Sequence, residues 1–182
     1  MTGDGDALIT ALARTLGEQL HAAGAQVSTA ESCTGGGIAE AITRIAGSSA
    51  WFEVGFVTYS NLQKTRVLQV APSDLERDGA VSQSVVEAMA RGAQQLSGAR
   101  YAVAVSGVAG PGGGSADKPV GTVWLAWAAA DQMQSGCWCF AGDRDAVRQQ
   151  TVQAALAGLL CLIEGREAVA WQQWLNKHLP NQ

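Results

Sequence analysis

Residues 27–36 read VSTAESCTGG. β-Branched Val27 and Thr29 lead into Glu31, Ser32, Cys33 and Thr34, and the chain then opens into Gly35, Gly36 and Gly37. The pattern predicts a short strand over 26–30 that ends in a carboxylate, a hydroxyl and a thiol. A helix over 36–46 follows, with Ile38, Ile42 and Ile45 on one face. The junction admits three readings: a nucleophile, a cradle for an anion, or a turn between strand and helix.

Leu8, Leu12, Leu16 and Leu20 recur every four residues, so the segment before this stretch is an amphipathic helix, ended by Gly24. Beyond it, the β-branched and aromatic run 51–59 predicts a strand. Ser60 to Gln63 matches a capping box for a short helix through Leu68. A turn or helix starts at Ala71–Asp74, and Ser84 with Glu87 predicts a capped helix over 84–96, with Gly98 past its end. Strands follow at 100–106, 122–130 and 136–140, the last two joined by a polar turn. A glycine-rich loop, GVAGPGGGSADKPVG, fills 107–121. Asp143 opens a long helix to about Glu164, and Trp171 and Trp174 lie three apart on a helical tail. Trp124 and Trp127 fall on opposite faces of their strand, so at most one is required in the core. Helices before and between strands, then a strand pair, predict an α/β fold with a mixed sheet covered on both faces. We read 1–165 as one domain and 166–182 as a helical extension.

The chain has 182 residues, enough for one domain with a proper core, and its 47% apolar and 15% charged residues suit a globular protein. A net charge of −4 argues against general nucleic-acid binding but leaves room for a local anion site. Asp4 and Asp6 near the N-terminus break any signal-peptide pattern. The longest apolar run, 123–130, is too short for a bilayer, so the expectation is a cytoplasmic protein without a membrane partner. Cys33, Cys137, Cys139 and Cys161 form no C-x-x-C pair, and there are only two histidines, so no zinc site is expected.

Ser32 lies in neither a G-x-S-x-G elbow nor a P-loop. A strand-to-helix junction rich in glycine aims backbone N–H groups at one point, which suits an oxyanion hole or a phosphate. An N-cap with a flexible turn is the plainer alternative. A serine nucleophile needs a base, and histidine is poorly supplied. His21 closes the first helix and His178 lies in the tail. Of the three lysines, Lys64 stands five residues after Tyr59, one helical turn beyond the strand end. Neutralising a lysine of ordinary basicity at pH 7 costs about 4.6 kcal/mol, so burial or a neighbouring cation is required. Tyr59 could relay the proton; a solvated helix lysine is the alternative. The 107–121 loop is a tight turn or a lid. Asp143 caps its helix, with Arg144 and Arg148 four apart on one face, either for phosphate or carboxylate or in ion pairs with Asp143 and Asp145.

Four stretches together carry a family pattern: TAESCTGG at 29–36, AGSSAWFEVGFVTYSNLQK at 46–64, SGVAGPGGGSADKPVGTVW at 106–124 and FAGDRDAVR at 140–148. In this order they resemble the CinA C-terminal domain family, nearly throughout from the first helix to about Leu162. The resemblance implies a three-layer α/β/α sandwich, a homodimer, and neither metal nor cofactor. It implies hydrolysis of the carboxamide of nicotinamide mononucleotide, in pyridine nucleotide salvage, with Ser32 as nucleophile beside Tyr59 and Lys64. It implies that Glu31, Cys33, Thr34, Gly35, Gly36, Ser106, Gly107, Gly110, Arg144 and Arg148 surround the mononucleotide. A non-catalytic nucleotide-binding module, or an amidase for another small amide, would use the same residues.

Overall fold

A computed structural model of the chain describes residues 2–130 and 132–178. Asp131 of the expected polar turn, and the extension from 179 to 182, lie outside them. Five strands, β1 (Val27–Glu31), β2 (Phe52–Val57), β3 (Tyr101–Gly107), β4 (Thr122–Ala129) and β5 (Gln132–Cys139), form one sheet in the order β2-β1-β3-β4-β5. β1 runs parallel to both β2 and β3, whereas β4 and β5 return antiparallel. Every residue of β1 is buried, as a central strand covered on both faces requires.

The helices are α1 (Thr2–Ala22), α2 (Gly37–Thr43), α3 (Asn61–Leu68), α4 (Pro72–Asp78), α5 (Gln83–Ser97), α6 (Arg144–Ile163) and α7 (Trp171–His178). Leu12, Leu16 and Leu20 of α1 pack with α6 over one face of the sheet. α3 and α5 cover the other, where Leu68, Val85, Val86 and Met89 meet Ala30, Ala102, Ala104 and Ala126. The architecture is therefore a three-layer sandwich on a mixed sheet. α6 is long and apolar enough to cross a membrane by composition, but its apolar side chains fill the first of these layers.

The path of the chain around β1 positions the site. β1 leaves through α2 on one face to β2; β2 returns through α3, α4 and α5 on the other face to β3. The neighbouring strands β1 and β3 therefore send their outgoing connections to opposite sides, β1 to β2 and β3 to β4, and such a switch point opens a crevice for ligands at their carboxyl ends.

Several local expectations change. α2 is shorter than 36–46. β5 begins at Gln132 rather than Gly136: the polar Gln132, Gln134 and Ser135 are accommodated on an edge strand where one side faces water, while Met133 packs toward the α5 layer. The capping box at Ser84 and Glu87 does not form: α5 begins one residue earlier, after Ser82. Ser84 Oγ instead donates to Asp78 at 2.6 Å, and Glu87 accepts from Gln83 and Ser135. Ser60 and Asp143 do cap α3 and α6, accepting from Gln63 N and Ala146 N. The tail joins the first layer: Trp127, Trp138 and Trp171 meet edge to face, and Trp174 Nε1 donates to Glu164 at 2.9 Å.

Candidate active site

Ser32 follows the last residue of β1 and still belongs to the ladder, its N–H donating to the Val105 carbonyl at 3.1 Å. Two residues on from Ala30, it faces the α3–α5 layer. Gly35 (φ 61°) and Gly36 (φ 98°) then turn the chain back into α2 through the left-handed region, which a side chain would strain. Lys64, in the second turn of α3, approaches from that layer. Lys64 as a whole is 1% exposed; its amine donates to the Thr58 carbonyl at 2.8 Å and lies 3.0 Å from Ser32 Oγ. No carboxylate pairs with it among the described residues. Desolvation therefore pushes its pKa below that of an ordinary lysine, against a smaller opposing pull from Cys33.

Glu31 has a different place from the one expected. Its side chain is fully buried, and both oxygens are used internally. Oε2 accepts from Thr34 Oγ1 (2.6 Å), Gly36 N (3.1 Å) and Ile38 N (3.0 Å), and Oε1 from Ala39 N (2.8 Å). The carboxylate closes the open end of α2 and holds the turn, so it is not a substrate contact. This also corrects the role of the glycines as donors. Gly36 N–H is taken by Glu31, Gly35 N–H by the Ser32 carbonyl and Gly37 N–H by the Thr34 carbonyl. Among the backbone N–H groups of 32–39, those of Cys33 and Thr34 alone carry no intramolecular bond. Cys33 N–H follows Ser32 directly and Thr34 N–H comes one residue later, the two free donors in sequence nearest the Ser32 hydroxyl.

Cys33 is no rival nucleophile, since burial raises its pKa to about 11 and leaves a neutral thiol. Thr34 is buried with its hydroxyl committed to Glu31. Tyr59 does not bridge Ser32 and Lys64. Its side chain is 60% exposed, and its hydroxyl accepts from Arg144 Nη2 at 3.0 Å. Arg144 also donates to the Gly110 carbonyl at 2.8 Å, tying the β2 end to the glycine-rich loop. Both partners are neutral, so this exposed guanidinium keeps its charge available for an anion. Arg148 diverges from it: it donates to the Thr34 carbonyl at 2.9 Å, propping the back of the turn, and pairs loosely with Asp145 at 3.8 Å.

The glycine-rich loop is pinned rather than loose. Val108 N–H and Gly121 N–H bond across its neck, and Lys118 anchors it to the Asp78 carbonyl at 2.7 Å. At Gly107 a Cβ would fall 2.6 Å from Val123 Cγ2, so only glycine lets β3 end this close to β4. Ser106, one residue earlier, is buried beside Ser32 on the next strand. The two histidines stay remote, His21 against Trp51 and His178 stacked on Trp174. Among the described residues no three His, Cys, Asp or Glu side chains gather to hold a metal ion.

The CinA C-terminal domain model matches residues 9–163. The chain is 68% identical over 154 residues to the nicotinamide-nucleotide amidohydrolase PncC of Pseudomonas putida, covering 85% of this chain and 96% of that protein. It is 51% identical over 171 residues to the protein of the same name from Escherichia coli K12, covering 93% and 97%. Its fold superposes on the crystal structure of the competence/damage inducible protein CihA from Agrobacterium tumefaciens with a TM-score of 0.84, at 47% identity, over 85% of this chain and 95% of that one.

Proposed function

Because this chain belongs to the CinA C-terminal domain family, we propose that it hydrolyses the carboxamide of nicotinamide mononucleotide to nicotinic acid mononucleotide and ammonia. It is an amidohydrolase, as are the Pseudomonas putida and Escherichia coli relatives. The observation that carries the mechanism is the buried, carboxylate-free amine of Lys64 at 3.0 Å from Ser32 Oγ. In its neutral state that contact runs the other way, with the Ser32 hydroxyl donating to the lysine lone pair.

Lys64 takes the Ser32 proton directly as Oγ attacks the amide carbon. The N–H groups of Cys33 and Thr34 receive the charge on the carbonyl oxygen. The tetrahedral adduct collapses, the C–N bond breaks, and the proton leaves on ammonia. Water then attacks the acyl ester, with Lys64 again as base, to release the carboxylate. Tyr59, at the mouth, is assigned to the leaving-group side, and the unpaired charge of Arg144 to the phosphate. Such a reaction returns a nicotinamide nucleotide to pyridine nucleotide salvage.

The deciding experiment is ammonia release from nicotinamide mononucleotide by the purified protein and by its Ser32→Ala and Lys64→Ala variants. Both variants are expected to be inactive while folded by circular dichroism. Full activity in either refutes the mechanism. Tight mononucleotide binding without turnover in the unaltered protein would make it a binding module instead.

A further inference from the structure

Arg144 is exposed, and two neutral acceptors hold its guanidinium: the Gly110 carbonyl at 2.8 Å and the Tyr59 hydroxyl at 3.0 Å. A long, rotamer-rich side chain at the surface stands where its acceptors stand. Tyr59 is two residues past the end of β2. Gly110 belongs to the glycine-rich loop, so the place of the charge depends on what fixes that loop.

The loop has a closed neck and an open tip. At the neck, Val108 N–H donates to the Thr122 carbonyl and Gly121 N–H to the Val108 carbonyl, both at 2.8 Å. Beyond it, residues 111–117 are all exposed. The bonds of the tip converge on Lys118. Ser115 N–H donates to the Lys118 carbonyl at 2.9 Å, and Lys118 N–H donates to Ser115 Oγ at 3.1 Å. The Lys118 ammonium then donates to the Asp78 carbonyl at 2.7 Å. Asp78 is the last residue of α4, so this cation meets the negative end of a helix. Among the described residues, no other side chain of 111–119 bonds outside the loop.

Val120 passes this anchorage to Gly110. A Cβ at Gly110 would fall 2.6 Å from Val120 Cγ1, and one at Gly114 would fall 2.8 Å from Val120 N. The two arms of the loop therefore touch without room for a side chain between them, and a shift of one moves the other. A continuous set of contacts runs from the Asp78 carbonyl through Lys118 and Val120 to the Gly110 carbonyl and Arg144.

Resting on the amidase reading and its assignment of Arg144 to the phosphate, we infer that Lys118 is a positioning residue for that guanidinium. By tethering the loop it makes the site select a phosphorylated nucleotide over the corresponding nucleoside. It acts through Gly110 and Arg144 and touches no substrate itself.

The test compares nicotinamide mononucleotide with nicotinamide riboside, which keeps the carboxamide, ring and ribose but lacks the phosphate. In Lys118→Met and Val120→Ala, KM for the mononucleotide is expected to rise about tenfold, the size of one misplaced charge-assisted hydrogen bond, with kcat little changed. The kcat/KM for the riboside is expected to stay the same, which also reports that each variant is folded. Lys118→Arg can still donate to the Asp78 carbonyl and is expected to keep the KM of the unaltered protein. A mononucleotide KM within about twofold of the unaltered value in both Lys118→Met and Val120→Ala overturns the inference and leaves the amidase reading intact. An equal loss on both substrates overturns it as well, since a merely structural role would not distinguish them. If the unaltered protein releases no ammonia from either compound, the amidase reading fails. Calorimetric titration with the same two compounds then decides. Tighter binding of the mononucleotide that Lys118→Met abolishes and Lys118→Arg retains supports the inference, and any other pattern overturns it.

Discussion

Glu31→Gln exchanges one oxygen for an amino group inside a cage of four donors. The amide oxygen is best placed at Oε2, where it keeps Thr34, Gly36 and Ile38 as donors. The amino group then faces Ala39 N–H, donor against donor, and the 2.8 Å bond is lost. A hydrogen bond to a charged group contributes about 1.5–3 kcal/mol, and an unsatisfied buried N–H costs about 1–3 kcal/mol. With the three remaining bonds weakened by loss of charge, the expected destabilisation is about 3 kcal/mol at neutral pH. For a chain of this size that lowers Tm by roughly 6–12 °C. The same change loosens the turn that presents Cys33 and Thr34 N–H, so ammonia release falls as well. Thermal unfolding by circular dichroism, with the ammonia assay on the same samples, reads both. A Tm within about 3 °C of the unaltered protein, by the same scaling, would refute the assignment of Glu31 as the clamp of the turn.

Ser32→Ala and Lys64→Met are expected to cut ammonia release by about 10³-fold or more. Because the Lys64 amine must be neutral to act, kcat/KM should rise with pH on an acid limb whose apparent pKa lies below 10.5, and a limb at or above that value counts against it. The folded pKa is depressed, so between it and 10.5 the unfolded chain binds more protons and stability rises with pH; Lys64→Met should flatten that rise in denaturant titrations. Tyr59→Phe should lower kcat by about 10²-fold, as loss of the hydroxyl that hands the Lys64 proton on to ammonia, and a change below threefold would reduce Tyr59 to a support for Arg144. Alkylation of the native protein at pH 8 should label Cys137 and Cys139 quickly, with Cys33 and Cys161 following only on denaturation, as mass spectrometry of the peptides would show.

The layers of the fold were legible because periodicity reports burial. The Leu8–Leu20 repeat and the β-branched runs each state which face is apolar; the strand order β2-β1-β3-β4-β5 was not legible, because it is set by pairing between distant segments. Ser32 and Lys64 were legible by a subtler route, since the shortage of histidine directed attention to a lysine one turn past a strand. The burial of Lys64 was not, because it depends on α3 packing against α5, a contact between distant segments. Glu31 was misread as a ligand for the same reason. One signal could have corrected it: a carboxylate on a fully buried strand, with no Lys or Arg nearby, needs N–H donors, and an uncapped helix beginning six residues later supplies them. Ser84 and Glu87 show the reverse error, a local pattern satisfied on paper but overruled by tertiary partners at Asp78, Gln83 and Ser135.

Trp127, Trp138 and Trp171 stand with ring centroids 5.9 and 5.8 Å apart. At that range their transition dipoles couple, so the three rings absorb as one chiral chromophore rather than as separate indoles. Trp171 comes from the tail, beyond the 9–163 region shared with the family, and lies on the opposite layer from Lys64. Detachment of the tail would therefore register in near-ultraviolet circular dichroism before any loss of activity. The protein carries an optical gauge of its extension that is independent of its chemistry.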